Sequence, residues 1–364
     1  MLPGLYVHVP FCSRKCPYCD FYSISALDLI PSWLRGLDKE ADLYAKDWPG
    51  PFDTLYLGGG SPSLLTVNDL KTLFEVLEKF PLAEGHEATI EANPEDVTRE
   101  KVKFWKSLGL NRVSLGVQSF NPQWLNSSLA RTHTVEDNKA AIETVAAEGL
   151  NLSLDFIFAH AGQSPQEWAA ELDQAAATWA DHVSAYVLTP APGTALGRAL
   201  AVGVAPKLPG EELTSELFLL TGEALAMRGF ERYEVSNFAR GGAVCRHNLK
   251  YWHREPYLGL GPSAHSFDGK KRRANTSSVR RWAQALSSGR TPLEFEETLT
   301  PEQVRMEEIM LGLRLSEGLP RELVKDSDKL ADLIKDGFLA EVGQRLKPCP
   351  KGMLMADGLA KLLA

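Results

Sequence analysis

The stretch Tyr6-Val-His-Val-Pro-Phe-Cys12-Ser-Arg-Lys-Cys16-Pro-Tyr-Cys19 decides the fold. Its first part lies in a short β-rich apolar run, Leu5–Val9, from which the chain passes directly into three cysteines spaced CX3CX2C. Three thiolates on one tight loop suit three irons of a [4Fe–4S] cube and leave the fourth iron without a protein ligand. In a parallel β/α fold the carboxyl end of a strand is where sites are built, and this loop follows such an end. Two other readings stand beside the cluster: a zinc-stabilised binding protein using the thiols and a histidine, and three unligated buried cysteines. Zinc usually takes CX2C knuckles in pairs, and this spacing supplies one.

Working outward, further β-rich runs fall at Thr54–Leu57, Ala88–Glu91, Arg112–Val117, Leu152–Phe158 and His182–Leu188. Helical patterns separate them, for example Leu70, Leu73, Phe74 and Leu77 at the spacing of one apolar face. Ser164, Pro165 and Glu167 form a capping box that starts the helix after the fifth run. Repeated strand–helix order predicts an α/β fold with parallel strands and right-handed crossovers, either an open doubly wound sheet or a complete or partial barrel. The texture changes after Thr189, where prolines and glycines interrupt the sequence. The expected domains are therefore 1–200, a 201–295 extension with a helix near Glu211–Met227 and a strand-and-loop region from Arg232 to Phe267, and a small, mainly helical 296–364 domain. The last opens on a capping box at Thr300, Pro301 and Gln303.

Composition narrows the function. The 364 residues carry 39 Lys+Arg against 47 Asp+Glu, net charge −8, which lacks the basic excess that nucleic-acid binding usually needs. The short basic run Lys270–Arg273 reads as a solvated loop. No apolar stretch is long enough to span a membrane and no secretory leader opens the sequence, so a soluble, unprocessed chain is expected. Cys245 and Cys349 are isolated from the cysteine triplet, a pattern that fits a reducing, cytoplasmic location.

Other candidate groups fall where the predicted strands end. Gly58-Gly59-Gly60-Ser61-Pro62-Ser63 follows the second run, and a glycine-rich turn lets backbone groups approach a ligand closely. Glu91 ends the third run, placed to accept hydrogen bonds from ribose hydroxyls, and Gln118 and Asp155 lie at or near the ends of the fourth and fifth. Pointing to one rim, they become candidate ligand contacts.

The cysteine loop with the glycine motif resembles the radical S-adenosylmethionine (SAM) superfamily. That likeness implies a partial (β/α)6 barrel in which the open iron chelates SAM, passes an electron to its sulfonium and yields a 5′-deoxyadenosyl radical. Over nearly the whole chain the sequence is most similar to the oxygen-independent coproporphyrinogen oxidase-like family, and within it to the HemW-type heme chaperones. The matching residues run from Tyr6 through Gly116-Val-Gln118-Ser-Phe, Arg131 and Asp155 to Tyr233-Glu-Val-Ser-Asn-Phe and His247-Asn-Leu-Lys-Tyr251-Trp252. By this resemblance Tyr6, Tyr18, Gly59, Gly60, Ser61, Glu91, Gln118, Arg131 and Asp155 would line one or two SAM sites.

Genuine coproporphyrinogen oxidases carry a further cysteine two residues after the third and a longer N-terminal segment. This sequence has Phe21 there, and five residues precede Tyr6. Both departures favour the chaperone branch, whose HNXXYW motif is associated with heme. His247 would then be an axial ligand, with Tyr251 and Trp252 offering apolar faces to the macrocycle and Cys245 read as a buried thiol. Heme, recipient apo-heme proteins (respiratory ones foremost), a reductant protein for the cluster and a homodimer partner are what the resemblance implies. Cluster and SAM would modulate transfer or dimerisation. Radical oxidative decarboxylation of coproporphyrinogen III propionates is the rival activity. One segment departs from the family: Asp155-Phe-Ile-Phe-Ala-His-Ala-Gly-Gln163 replaces a YGLPGQ-like turn, which puts inherited contacts of residues 158–161 in doubt.

Overall fold

Strand Gly4–Val9 (β1) is buried at all but one position, as a strand between two parallel neighbours requires. The computed structural model to which it belongs describes residues 1–363. After β1 come helix Ile30–Tyr44 (α1), strand Phe52–Gly59 (β2), helix Val67–Leu77 (α2), strand Leu82–Ala92 (β3) and helix Arg99–Ser107 (α3). Strand Arg112–Gln118 (β4), helix Val135–Ala147 (α4), strand Asn151–Phe158 (β5), helix Pro165–Ala176 (α5) and strand His182–Val187 (β6) complete the alternation. Helices Ala195–Ala201 (α6) and Glu211–Ala226 (α7), strands Glu231–Arg232 (β7) and Asn237–Ala239 (β8), and helix Arg246–Trp252 (α8) follow. Strands Tyr257–Leu260 (β9), His265–Phe267 (β10) and Lys271–Asn275 (β11) precede helix Val279–Ser287 (α9) and strand Leu293–Thr298 (β12). The remainder is helix Pro301–Gly312 (α10), strand Leu319–Pro320 (β13), helix Ser327–Lys335 (α11), strands Leu339–Val342 (β14) and Arg345–Pro348 (β15), and helices Pro350–Leu354 (α12) and Ala356–Leu363 (α13).

The chain divides into two compact units. The first comprises Met1–Asp155, Thr189–Lys207 and Glu255–Thr298; the second comprises Phe156–Leu188, Leu208–Arg254 and the chain from Leu299 onward. In the first, the strands run β12-β11-β10-β9-β1-β2-β3-β4. Here β1 to β4 are parallel, with Tyr6 beside Tyr56 and Val9 beside Gly59, so their carboxyl ends share one edge. Strands β9 to β12 are joined antiparallel, β9 pairing parallel with β1. Helix α9 packs on α1 at Gly36, where a Cβ would meet the buried Trp282 ring at 2.2 Å.

In the second unit β6 pairs antiparallel with β8, and β8 with β7. Trp168 of α5 stacks on Phe158 with centroids 5.0 Å apart, and its indole N–H donates to Thr221 of α7 at 2.8 Å. The C-terminal helices surround a three-stranded antiparallel sheet, β13-β15-β14, over a core that includes Ile309, Leu313, Leu330, Leu346 and Leu359.

The sequence reading and the structure differ in places with clear causes. On α2 it is Leu70, Leu73, Val76 and Leu77 that are buried, while Phe74 is half-buried. The region from Arg232 to Phe267 contains a helix, α8, which is two turns long and too short to show periodicity. The basic run is no loop but continues into β11, whose cations pair with the facing acidic strand: Arg273 Nε lies 2.9 Å from Glu296, and Lys271 Nζ 3.2 Å from the same side chain. The capping boxes at Ser164 and Thr300 are both formed.

Candidate functional site

The cysteine loop is closed at its base by backbone. Phe11 and Ile24 form a bridge, Cys12 N–H donates to Ile24 O at 3.0 Å, and Ile24 N–H donates to Pro10 O at 2.8 Å. Phe11, fully buried, meets Trp33 of α1 edge to face at 5.7 Å, which fixes the residue before Cys12. Within the loop Cys19 N–H donates to Cys16 O at 3.2 Å. None of the three cysteines is in a disulfide, and all are partly exposed.

The glycine turn at the end of β2 clasps this base. Gly60 N–H donates to Val9 O at 2.8 Å and Ser61 N–H to Phe11 O at 2.7 Å. A Cβ on Gly60 would sit 2.6 Å from Phe11 O and 2.7 Å from Val9 O, so only glycine permits the approach. Gly59 has φ 110°, and a Cβ there would strike the His8 ring at 2.5 Å.

Polar side chains then converge on the sulfurs. Ser61 Oγ is 3.5 Å from Cys12 Sγ, and Arg131 Nη1 donates to Cys16 Sγ at 3.2 Å. Arg131 Nη2 donates to Asn93 at 2.6 Å, and Asn93 Nδ2 donates to Ser61 Oγ at 2.9 Å, so one network ties the loop to the ends of β2 and β3. Arg131 Nε is buried with no hydrogen-bond partner among the described residues. Burial raises the Tyr18 phenol above its ordinary value, the nearby Cys16 and Cys19 thiols reinforcing it against the pull of Arg131.

Glu91 is held from two sides: Tyr56 donates to one carboxylate oxygen at 2.9 Å and Gly59 N–H to the other at 3.0 Å. Burial pushes its carboxyl up to about 7, these two hydrogen bonds pulling against it and Asp155 adding repulsion. Each oxygen keeps a second lone pair for a ligand hydroxyl. Tyr6 stacks on Tyr56 at 6.2 Å, and its hydroxyl lies 3.0 Å from His8 Nδ1; burial and the Glu91 charge raise the phenol. Asp155 accepts from Ser114 at 2.8 Å. Gln118, at the end of β4, has φ 64°, a strained backbone of the kind found at sites.

These residues fit a thiolate-held cluster with an anionic ligand beside it. Hydrogen-bond donors point at two of the sulfurs, and a buried guanidinium N–H stands unused. Among the described residues no three His, Cys, Asp or Glu side chains converge on a single metal ion; a cluster takes its thiolates on separate irons.

The sequence reading missed His8, Tyr56, Asn93 and Ser114. His8 and Asn93 lie two residues from Tyr6 and Glu91, the same-face spacing, which was the available signal. Tyr56 and Ser114 enter through strand register, which the sequence does not print.

His247 belongs to the second unit. It lies in the first turn of α8, 1% exposed, with Nε2 at 2.8 Å from Tyr251 Oη, and burial with Lys250 nearby pushes its pKa down to about 3. Cys245 just before it is buried, its N–H donating to Tyr233 Oη at 3.3 Å; that hydroxyl also meets His182 Nε2 at 2.7 Å. In the departing loop Ala159 has φ 64°, and the Gln163 carbonyl accepts from the N–H of Ala159 at 2.7 Å and of His160 at 3.2 Å.

Comparison with known proteins identifies the family and the fold. Residues 6–175 match the radical SAM superfamily and residues 299–355 the HemN C-terminal domain. The chain is 36% identical over 369 residues to the heme chaperone HemW of Mycobacterium tuberculosis, covering 99% of this chain and 94% of that one. It is 32% identical over 380 residues to the heme chaperone HemW of Escherichia coli, covering 99% and 97%. Its fold superposes on coproporphyrinogen III oxidase (HemN) from Escherichia coli with TM-score 0.85 at 22% identity, covering 100% and 90% of the two chains. The fold is thus the α/β radical SAM fold with an added C-terminal domain.

Proposed function

We propose, from the premise that this chain belongs to the HemW-type family of the radical SAM superfamily, that it binds heme through His247 and hands it to apoproteins, respiratory heme proteins foremost. The observation that carries the reading is the likeness to named heme chaperones across 99% of the chain at 36% identity. Phe21 stands where the decarboxylating relatives resembled by the sequence have their extra cysteine, which supports the same branch.

Cys12, Cys16 and Cys19 would hold the [4Fe–4S] cluster, whose open iron, once SAM is chelated, supplies one-electron chemistry at the sulfonium. Around it the chain's own groups have separate tasks. Arg131 donates to the sulfur of Cys16 and Ser61 to that of Cys12, which orients two of the three ligands. Gly59 and Gly60 hold the loop against β2, and Glu91, kept in place by Tyr56, offers acceptor lone pairs to ribose hydroxyls. Tyr6, Tyr18, Gln118 and Asp155 complete the SAM contacts in this reading. In the second unit His247, held neutral by burial, has the protonation state that iron requires.

An anaerobic heme titration of the cluster-reconstituted protein and its His247→Ala variant, with coproporphyrin as competitor, tests this. Stoichiometric binding that is lost in the variant is the expected result. Absence of heme binding in both proteins, with 5′-deoxyadenosine and carbon dioxide released from coproporphyrinogen III, would replace the chaperone reading by the decarboxylase one.

A further inference from the structure

His247 and Tyr251 are one turn apart on α8, their rings edge to face at 5.2 Å. Tyr251 Oη lies 2.8 Å from His247 Nε2. The histidine is 1% exposed, whereas the tyrosine is half-buried and is the member of the pair that reaches solvent.

A neutral imidazole nitrogen that carries no proton has a single lone pair, in the plane of the ring. It takes one partner at a time, either a hydroxyl proton or an iron. The phenol is the better donor of the two groups and the neutral imidazole the better acceptor, which favours the arrangement in which Tyr251 O–H donates and the ring proton resides on Nδ1. That tautomer directs Nε2 at a metal.

We propose that the Tyr251 hydroxyl is a displaceable stand-in for heme iron: it occupies His247 Nε2 in the empty protein, keeps the ring in its ligating tautomer, and competes with iron for the nitrogen. The inference rests on the reading of His247 as heme ligand. It supplies what a carrier needs and a permanent heme site does not, a built-in competitor that returns to the nitrogen as cargo leaves. An ordinary hydrogen bond of this kind corresponds to about fivefold in affinity.

The test compares wild type, His247→Ala, Tyr251→Phe and a protein carrying 3-fluorotyrosine at position 251, a more acidic and nearly isosteric phenol. Each is titrated with heme anaerobically and then mixed with apomyoglobin as acceptor. Tyr251→Phe is expected to bind heme about fivefold tighter than wild type and to release it correspondingly more slowly. Fluorotyrosine should shift both quantities the opposite way, with one His-ligated absorption spectrum throughout. A packing role alone would not order the three proteins by donor strength. Should the Phe variant fail to fold, the fluorotyrosine comparison decides alone. Equal affinities across the series overturn the proposal, as does loss of heme from Tyr251→Phe with a changed ligation spectrum. Wild type that binds no better than His247→Ala sinks the underlying reading, and this proposal with it.

Discussion

Ala159 pays a conformational cost that a glycine would not. Its φ of 64° lies in the left-handed region, where a Cβ approaches the following carbonyl oxygen, and it stands where the resembled family has the glycine of its turn. Gln163 keeps the turn closed by accepting from two successive backbone N–H groups, a compensation that survives the loss of glycine. Ala159→Gly should therefore stabilise the protein by about 1 kcal/mol, read as a rise in urea midpoint without a change in slope. A lower midpoint would show that the methyl group makes packing contacts worth more than the strain. The residue changes seen in the sequence at 158–161 thus leave Ala159 in a left-handed backbone conformation, which only φ reveals.

At the scale of elements, Glu40 joins pieces distant in sequence. It is fully buried on α1, accepting from Gly261 N–H at 2.7 Å and from Asn275 Nδ2 at 2.6 Å, which ties the helix to the end of β9 and to β11. Burial pushes its carboxyl from 4.5 up to about 7, the hydrogen bonds from Gly261 and Asn275 opposing. With the folded-state value above the unfolded one, the native protein binds the proton more tightly. Its contribution is full below pH 4.5 and is lost as pH rises through about 7, by at most about 3 kcal/mol. The difference in thermal midpoint between wild type and Glu40→Gln should accordingly move in favour of the variant across that window and stay flat above pH 8. A pH-independent difference would mean that Glu40 does not titrate there. The same element scale explains the legibility of the fold: strands β1, β2 and β4 to β6 sit where apolar runs announced them, and the boxes at Ser164 and Thr300 mark α5 and α10. Helix α8 escaped notice because seven residues give no periodic signal.

For the whole molecule, the net charge of −8 and the pairing of Lys271, Arg272 and Arg273 with Glu296 and Glu297 leave no concentrated basic surface from the one basic run. The protein should pass through a heparin column at about 0.15 M salt; retention there would reveal a cationic face assembled from residues far apart in sequence. No described helix is long and apolar enough to cross a membrane. The sequence by itself determined the alternation of strands and helices and the chemistry of the cysteine loop, because apolar period, capping residues and ligand spacing are local properties of the chain. Tertiary structure alone decided which groups attend that loop. Tyr56 reaches Glu91 through the register of β2 and β3, Arg131 meets Cys16 across 115 positions, and Glu40 meets Asn275 across 235. It decided too that the solvent-facing partner of the buried His247 nitrogen is a tyrosine one turn away. Such pairings depend on strand register and side-chain burial, which arise from how elements pack and leave no periodic mark in the sequence.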